Sequence, residues 1–133
     1  MNSGQIGNLR VLLVEDESLV AMLIEDVLAD LNCAVVARAS TLAEALSKAS
    51  TVDFDVAILD VNLDGSPVYP VAELLLEKRL PFIFSTGYGM AGIPENLRIV
   101  PILTKPFIDA DVERALKSVL ASNAQPKPDN PGT

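Results

Sequence analysis

Short apolar runs alternate along the chain with stretches whose apolar residues recur at helical spacing. Five runs have the length and composition of buried strands, at residues 9–14, 34–37, 56–59, 81–84 and 99–103. Helical spacing is clearest at residues 19–31 and 109–120, and a shorter amphipathic stretch carries Val71, Leu74 and Leu75. Since continuous apolar strands separated by helices are typical of a parallel sheet covered on both faces, the pattern predicts a doubly wound α/β domain.

The sequence signals for the predicted helices differ in strength. Thr41 precedes the second helical stretch and Glu44 follows three residues later, a capping-box pattern that satisfies backbone N–H groups at a helix start. In contrast, three glycines and a proline fall within residues 87–96, where the alternation places a fourth helix. Because glycine and proline are poor helix formers, we predict that this helix is short or disordered.

The two ends of the chain lack such patterns. Residues 122–133 read SNAQPKPDNPGT, which cannot bury an apolar face, so we expect a disordered tail there. Residues 1–8 form a short polar segment, which we expect to be flexible. The length of 133 residues, half of them hydrophobic, then indicates one folded domain over residues 9–121.

Composition excludes several classes of function. No apolar run approaches the roughly 18 residues of a spanning helix, and no signal segment precedes the first strand, so we expect a cytoplasmic protein. The single cysteine, Cys33, cannot form an internal disulfide, and the lack of histidine excludes histidine-based zinc sites and catalytic triads. A net charge of -8 argues against nucleic-acid and anionic-membrane partners, which bind clustered Lys and Arg.

Acidic residues follow two of the predicted strands. Glu15 and Asp16 come directly after the first strand, and Asp60 comes after the third. The carboxyl ends of the strands in a doubly wound sheet meet at one rim, where several carboxylates without a counterion repel one another. A hard divalent cation relieves that repulsion, so we predict a Mg²⁺ site. Its direct ligands are expected to be Asp16, Asp60 and the backbone carbonyl of Asn62, while Glu15 binds through water.

Each acid also has a simpler interpretation when it is considered alone. Glu15, Asp16 and Glu17 could form a solvated turn whose charge favours the start of the first helix. Asp60 could open a polar loop as an Asx-turn residue. Both simpler interpretations lose support when the two acidic positions are considered jointly, because two strands seldom end in acids on the same rim by accident.

Thr86 and Lys105 follow the fourth and fifth predicted strands. An aspartyl carboxylate can attack a phosphoryl group if the charge on the phosphoryl oxygens is neutralised. The Lys105 ammonium and a donor at Thr86 or the N–H of Gly87 would supply that neutralisation. The alternatives are a surface cation and a satisfied turn hydroxyl. Pro106 keeps Lys105 out of helical conformations and makes their peptide bond a candidate for the cis form.

Over residues 9–120 the sequence resembles the receiver domains of bacterial response regulators. VLLVEDE places Glu15 and Asp16 at the metal positions of the family, and DVAILDVNLDG places Asp60 at its phosphoacceptor. PFIFSTGYG places Thr86 at the switch hydroxyl, and LTKPF places Lys105 at the invariant lysine. The resemblance implies a flavodoxin-like five-stranded sheet in the order 2-1-3-4-5, dependence on Mg²⁺, and phosphorylation by a histidine kinase or a histidine phosphotransfer protein.

Two positions depart from the pattern of that family. Asp64 stands where a proline is usual, four residues beyond the phosphoacceptor, and Gly65 follows earlier than expected, which suggests a rearranged loop. Ile102 stands where the family has an aromatic switch residue.

The segment FSTGYG resembles a receiver subgroup of alphaproteobacterial type, the so-called FAT GUY receivers, which carry a Phe-Ala-Thr-Gly motif. The resemblance implies a stand-alone receiver, kinases of the HWE or related classes, and a poorly helical segment after the fourth strand. We hypothesise that mobility around Gly87 to Gly92, with Tyr88 as a reporter, replaces the aromatic switch.

The predicted function is therefore that of a single-domain response regulator. Phosphorylated on Asp60, it would bind a downstream protein partner or pass phosphate on as a shuttle or sink, and its own phosphorylation and dephosphorylation would be its only catalysis. One alternative is a magnesium-dependent phosphohydrolase of the haloacid-dehalogenase type, although Asn62 stands where such enzymes have a second aspartate. Another is a degenerate receiver that only docks.

Overall fold

Five parallel strands form the central sheet, and a small hairpin lies beside it. The computed structural model describes residues 6–87, 89 and 92–124. The strands are β1 (Arg10–Val14), β2 (Ala34–Ala39), β3 (Val56–Asp60), β4 (Asn62–Leu63), β5 (Ser66–Pro67), β6 (Phe82–Thr86) and β7 (Ile102–Thr104). The α-helices are α1 (Ser18–Asp30), α2 (Leu42–Thr51), α3 (Tyr69–Lys78) and α4 (Asp109–Ala124). None of these helices is both long enough and apolar enough to cross a membrane.

The sheet has the strand order β2-β1-β3-β6-β7, and all of its neighbouring strands are parallel. When the antiparallel hairpin β4–β5 is left out of the numbering, this is the predicted order 2-1-3-4-5. The flavodoxin-like fold class is therefore confirmed. In this topology the order of the strands reverses beside β1 and β3, and the reversal opens a crevice at their carboxyl ends.

Successive side chains of each strand enter opposite halves of the core. Leu12, Leu59 and Phe84 pack with α2 and α3 on one face of the sheet. Leu13 and Ile58 pack with α1 and α4 on the other face. The central strands β3 and β6 are buried along their whole length, which explains why their sequences are nearly continuously apolar rather than alternating.

The helices meet the sheet largely as their spacing predicts. In α4, Val112, Leu116 and Val119 are buried as expected. In α1, however, Leu19 and Leu23 are 70% and 58% exposed, although they contributed to the helical pattern. Apolar residues cover more of the circumference of α1 than one face of the sheet can bury. The residues that α1 buries are Ala21, Ile24 and Leu28.

The cap of α2 follows the predicted motif with one change. Thr41 Oγ1 accepts a hydrogen bond from the backbone N–H of Glu44 at 3.1 Å, as in a capping box. The Glu44 carboxylate accepts its return hydrogen bond from the N–H of Ser40 at 2.9 Å, one residue earlier than the motif predicts. Both hydrogen bonds satisfy backbone N–H groups at the start of α2 and so stabilise it.

Both ends of the folded region extend beyond the predicted limits. Ile6 is buried, and its carbonyl accepts a hydrogen bond from the Cys33 thiol. The folded region therefore includes Ile6, which lies within the segment 1–8 that we expected to be flexible. α4 continues to Ala124 because the first proline after it is Pro126, so the predicted tail from residue 122 begins too early. Residues 1–5 and 125–133 lie outside the described residues.

The segment between β6 and β7 contains no α-helix in its described residues, which agrees with the prediction for the fourth helix. A single 3-10 turn occurs there, at Glu95–Leu97. Gly89 and Gly92 adopt positive φ values of 62° and 82°, conformations that disfavour other residues and interrupt a helix. The buried side chains of Ile93 and Leu97 anchor the segment in the core.

Candidate functional site

Three carboxylates meet at the carboxyl ends of β1 and β3. The two strands pair with Val14 opposite Leu59, so Glu15 and Asp60 leave neighbouring strands side by side. One carboxylate oxygen from each of Glu15, Asp16 and Asp60 lies within 4.8 Å of the other two. Because Glu15 and Asp60 are only 4% and 7% exposed, water screens their charges weakly.

One ammonium group approaches this cluster from the other side. Lys105 Nζ lies 3.4 Å from Glu15 Oε1 and 3.7 Å from Asp60 Oδ1. The backbone N–H of Lys105 donates to the Thr86 carbonyl at 2.8 Å, which ties the lysine to the end of β6. The Lys105–Pro106 peptide bond is cis, as the sequence suggested. In the part of the chain that the structure describes, Lys105 is therefore the one cation that pairs with this cluster of three carboxylates.

The excess of negative charge changes the acidity of Asp60. Burial and the neighbouring Glu15 carboxylate raise the pKa of Asp60 to about 7, although the Lys105 ammonium and the Asn62 N–H oppose the shift. A carboxyl group with such a pKa lacks enough nearby positive charge to stay fully ionised at neutral pH. The site is therefore suited to a further cation.

A cavity of about 550 Å³ opens above the cluster. Its lining combines acids, a lysine, a hydroxyl and backbone groups around the exposed edge of Asp60. The lining residues are Asp16, Glu17, Asp60, Val61, Asn62, Asp64, Gly65, Thr86, Gly87 and Lys105. All the predicted site residues except Glu15 therefore share one cavity, and Glu15 lies beside it through its contact with Lys105.

The loop that follows Asp60, for which the sequence suggested a rearrangement, is a β-hairpin. Asp64 and Gly65 have positive φ values of 52° and 90°, which correspond to a two-residue type I′ turn. Asp-Gly is a strong sequence signal for this turn. The signal could have identified the hairpin, but the paired strands are only two residues long and show no alternating pattern.

The hairpin fixes Asn62 beside Asp60. The Asn62 N–H donates to Asp60 Oδ1 at 3.4 Å, and its side-chain oxygen accepts from the Gly65 N–H at 2.8 Å. Asn62 and Pro67 form a non-hydrogen-bonded pair of the hairpin, because the next pair outward is bonded from the Val68 N–H to the Val61 carbonyl at 2.9 Å. The carbonyl is thus not committed to the hairpin ladder. Together with the three carboxylates it makes an all-oxygen donor set that fits a hard divalent cation.

Thr86 ends β6 as a buried residue, 4% exposed, and lines the cavity with Gly87. The structure thus places both at the rim, across the cavity from Asp16. At the aromatic-switch position of the receiver pattern, Ile102 is half-buried and packs against the core. Tyr88 lies outside the described residues.

Tyr69 was not a candidate from the sequence, yet it contacts the segment that follows Thr86. Its hydroxyl donates to the Gly92 carbonyl at 3.0 Å. Its ring packs edge-to-face on Phe84, with ring centroids 6.1 Å apart. The contact spans 23 residues of sequence, so no local pattern could have indicated it.

Known proteins are similar to this chain in sequence and in fold. The family model for the response regulator receiver domain matches residues 11–117. The solution structure of SdrG from Sphingomonas melonis Fr1 is similar with a TM-score of 0.77 and 39% identity, and the match covers 90% of this chain and 99% of SdrG. SdrG in its BeF3-activated conformation is also similar, with a TM-score of 0.73, 40% identity, and coverage of 86% and 99%.

Two longer proteins match over part of their length. The response regulator PhyR from Brucella abortus is 30% identical with a TM-score of 0.76, and the match covers 90% of this chain and 50% of PhyR. A protein-glutamate methylesterase/protein-glutamine glutaminase from Archaeoglobus fulgidus is 31% identical over 101 residues, which are 75% of this chain and 29% of that enzyme. The chain therefore spans less than a third of this curated relative. From the fold, the acidic rim and the family match together, the chain belongs to the response regulator receiver domain family.

Proposed function

We propose that this chain accepts a phosphoryl group on Asp60 and signals by changing its binding to a partner protein. The observation that carries the proposal is the position of Asp60. Its carboxylate ends a fully buried strand, lies 3.7 Å from the Lys105 ammonium and opens into a cavity with polar walls. A nucleophile that attacks phosphorus needs this combination of fixed position and nearby positive charge.

The chemistry follows from the groups that surround Asp60. An ionised Asp60 oxygen attacks the phosphorus of a phosphohistidine donor, so a P–O bond forms while the P–N bond breaks and leaves its electron pair on the imidazole nitrogen. Lys105 then pairs with a phosphoryl oxygen, and the hydroxyl of Thr86 or the N–H of Gly87 donates to another.

Glu15, Asp16 and Asp60, with the carbonyl of Asn62, are the groups that we expect to hold Mg²⁺, Glu15 through water. The bound ion supplies positive charge that offsets the charge on the phosphoryl oxygens. The protein itself orients the Asp60 carboxylate through the Asn62 N–H, and the surrounding core keeps bulk water from the buried side of this carboxylate.

The phosphoryl donor that fits this chemistry is a histidine kinase, of the HWE or a related class, or a histidine phosphotransfer protein. Exposed apolar side chains close to the rim offer a surface for such a donor: Leu19, Met22 and Leu23 on α1, and Ile108 after Lys105. We further propose that the chain acts in the cytoplasm as a stand-alone receiver, either by binding a downstream protein or as a phosphate shuttle or sink. The match that covers 99% of SdrG supports a single receiver domain as the unit that carries this function.

The two alternatives have less support. In a haloacid-dehalogenase-type phosphohydrolase, the residue two places beyond the nucleophile acts as acid and base. Here that residue is Asn62, whose side-chain oxygen is bound to the Gly65 N–H. A receiver that only docks would not need Lys105 within reach of both Glu15 and Asp60.

The test is phosphorylation by radiolabelled acetyl phosphate, with Mg²⁺ or with a chelator. We expect the wild-type chain to take up label only with Mg²⁺, and Asp60→Asn to take up none. Asp64→Asn is the matched control, because Asp64 is an exposed acid on the same cavity wall, and this variant should retain most of the label. Label on Asp60→Asn, or none on the wild type with Mg²⁺, would reject the proposal.

A further inference from the structure

Ser85 has a fully buried hydroxyl group with no hydrogen-bond partner in the described part of the chain. Leaving a buried hydroxyl unpaired is unfavourable because the group gives up its hydrogen bonds to water, and the large majority of buried polar groups in proteins are paired. Alanine would fill the same place without this cost. An unpaired hydroxyl at such a position indicates that a partner becomes available in another state of the protein.

The register of the sheet places Ser85 beside the phosphoacceptor. On the neighbouring strands, Ser85 pairs with Asp60 in β3 and with Leu103 in β7. Ile58 and Ile83, two residues before Asp60 and Ser85, both belong to the core on the α1 and α4 side. Because side chains alternate along a strand, Ser85 and Asp60 point to the same side of the sheet.

The same alternation includes the lysine. Leu103 lies in the core on the α1 and α4 side, so Lys105, two residues later, leaves β7 on that side. To bring its ammonium within 3.7 Å of Asp60, the Lys105 side chain must cross over β6, which lies between β7 and β3. The Ser85 hydroxyl therefore lies at the buried base of the contact between Asp60 and Lys105.

We infer that Ser85 is a positioning residue for phosphoryl transfer, which rests on the proposed function of Asp60. In the phosphorylated state its hydroxyl donates a hydrogen bond to the Asp60 oxygen that does not carry the phosphoryl group. This oxygen becomes available when Lys105 leaves the Glu15 and Asp60 carboxylates for the phosphoryl oxygens. The hydrogen bond holds the plane of the Asp60 carboxyl group, and it offsets in the phosphorylated state the cost of the unpaired hydroxyl in the free state.

The inference predicts opposite effects of one substitution on two states. Ser85→Ala should raise the unfolding temperature of the free protein by a few degrees, because it removes an unpaired buried hydroxyl. The same variant should bind beryllofluoride, a phosphoryl mimic, about 5- to 10-fold more weakly in the presence of Mg²⁺, because a hydrogen bond of about 1 kcal/mol is lost. Ser85→Thr, which keeps the hydroxyl, should recover most of the wild-type affinity.

The experiment measures unfolding temperature and beryllofluoride affinity for the wild type, Ser85→Ala, Ser85→Thr and Ile83→Val. Ile83 is the control, because it is a buried residue of the same strand on the same face, and its truncation should lower stability without changing affinity. Equal affinity of the wild type and Ser85→Ala would overturn the role of Ser85 while leaving the role of Asp60 intact. A wild type that binds no beryllofluoride would overturn both.

Discussion

The two sides of the site differ in how firmly the fold holds them. On one side, Glu15 and Asp60 follow or end strands that are buried along almost their whole length and paired in regular register. On the other side, the chain leaves β6 at Thr86 and reaches Ile102 through a segment whose described residues contain one 3-10 turn and two glycines at positive φ. The acceptor side is built on regular strand pairing, whereas the described residues between Thr86 and Ile102 form no α-helix and no strand.

This difference separates the two tasks of a receiver. Phosphoryl transfer needs groups that are already in position, which the strand ends provide. A signal needs an element with more than one arrangement of similar free energy, and we propose that the segment between Thr86 and Ile102 is that element. Thr86 joins the two regions. Tyr69 and Arg98 hold the segment through hydrogen bonds to the carbonyls of Gly92 and Ile93.

The largest effect should come from the single cation on the acceptor side. Lys105→Met keeps the length of the side chain and removes its charge, so phosphorylation by acetyl phosphate should slow about a hundredfold, as when one donor to a developing charge is lost. Rates of label uptake measure this effect. Lys117→Met, on the exposed part of α4, is the control and should leave the rate unchanged. A Lys105→Met rate close to that of the wild type would mean that Lys105 does not pair with the phosphoryl group.

The hairpin tests whether local backbone geometry matters on the acceptor side. Asp64→Pro restores the residue that is usual in the family but forces φ near -65° at a position with φ 52°. We expect a loss of about 2–3 kcal/mol in the free energy of unfolding, and weaker Mg²⁺ binding because Asn62 is displaced. Chemical denaturation and a magnesium titration measure the two effects. Asp64→Asn tolerates a positive φ and should resemble the wild type in both; full stability of Asp64→Pro would contradict the assignment of the turn.

The raised pKa of Asp60 predicts how stability depends on pH. The folded protein, with a pKa of about 7 at Asp60, binds more protons than the unfolded chain, where the pKa is 3.8. Between these two values stability should therefore fall as the pH rises, and the full loss should be reached above pH 7. Asp60→Asn lacks this loss and should be more stable than the wild type at pH 8, but not at pH 4.

Denaturant unfolding from pH 4 to pH 8 in the presence of a chelator measures this difference. Added Mg²⁺ should narrow it, since a cation favours the ionised carboxylate. If the free energy of unfolding changed with pH in the same way for the wild type and Asp60→Asn, the pKa of Asp60 would not be raised in the folded protein, and the cluster would not lack positive charge.

The smallest effect on phosphorylation should come from the segment between β6 and β7. Tyr69→Phe removes the hydroxyl that donates to Gly92 but keeps the ring on Phe84. We expect a loss of about 1 kcal/mol, faster amide hydrogen exchange at residues 92–97, and a phosphorylation rate within about twofold of the wild type. Hydrogen exchange and label uptake on the same sample test this separation. A large change in the phosphorylation rate with unchanged amide hydrogen exchange would show that Tyr69 acts on the acceptor side and not on the segment beyond Thr86.

The sequence was sufficient for those parts of the site that follow from strand ends. Once the apolar runs predict a parallel sheet, Glu15, Asp60, Thr86 and Lys105 must share a rim, because that is where such strands end. The same reasoning could not show that Leu19 is exposed, since α1 carries apolar residues on several faces. Periodicity reports that a helix is apolar, but only the packing of the sheet decides which face is buried.

Other features depend on contacts that are distant in sequence or on very short elements. The hairpin at Asp64 has a clear turn signal, but strands of two residues leave no pattern to support it. Ser85 looks like one more residue in an apolar strand until the register places it beside Asp60. Tyr69 meets Gly92 only because α3 packs near the end of β6. In each case the missing information is tertiary rather than local.

Chemical trapping can show whether the phosphoryl group resides on Asp60. Borohydride reduces an aspartyl phosphate to homoserine, so the chain can be phosphorylated with acetyl phosphate and Mg²⁺, reduced, digested and analysed by peptide mass spectrometry. We expect homoserine at position 60 and at no other position. Homoserine at Asp16 or Asp64 instead, or none at all in a sample that carries label, would contradict it.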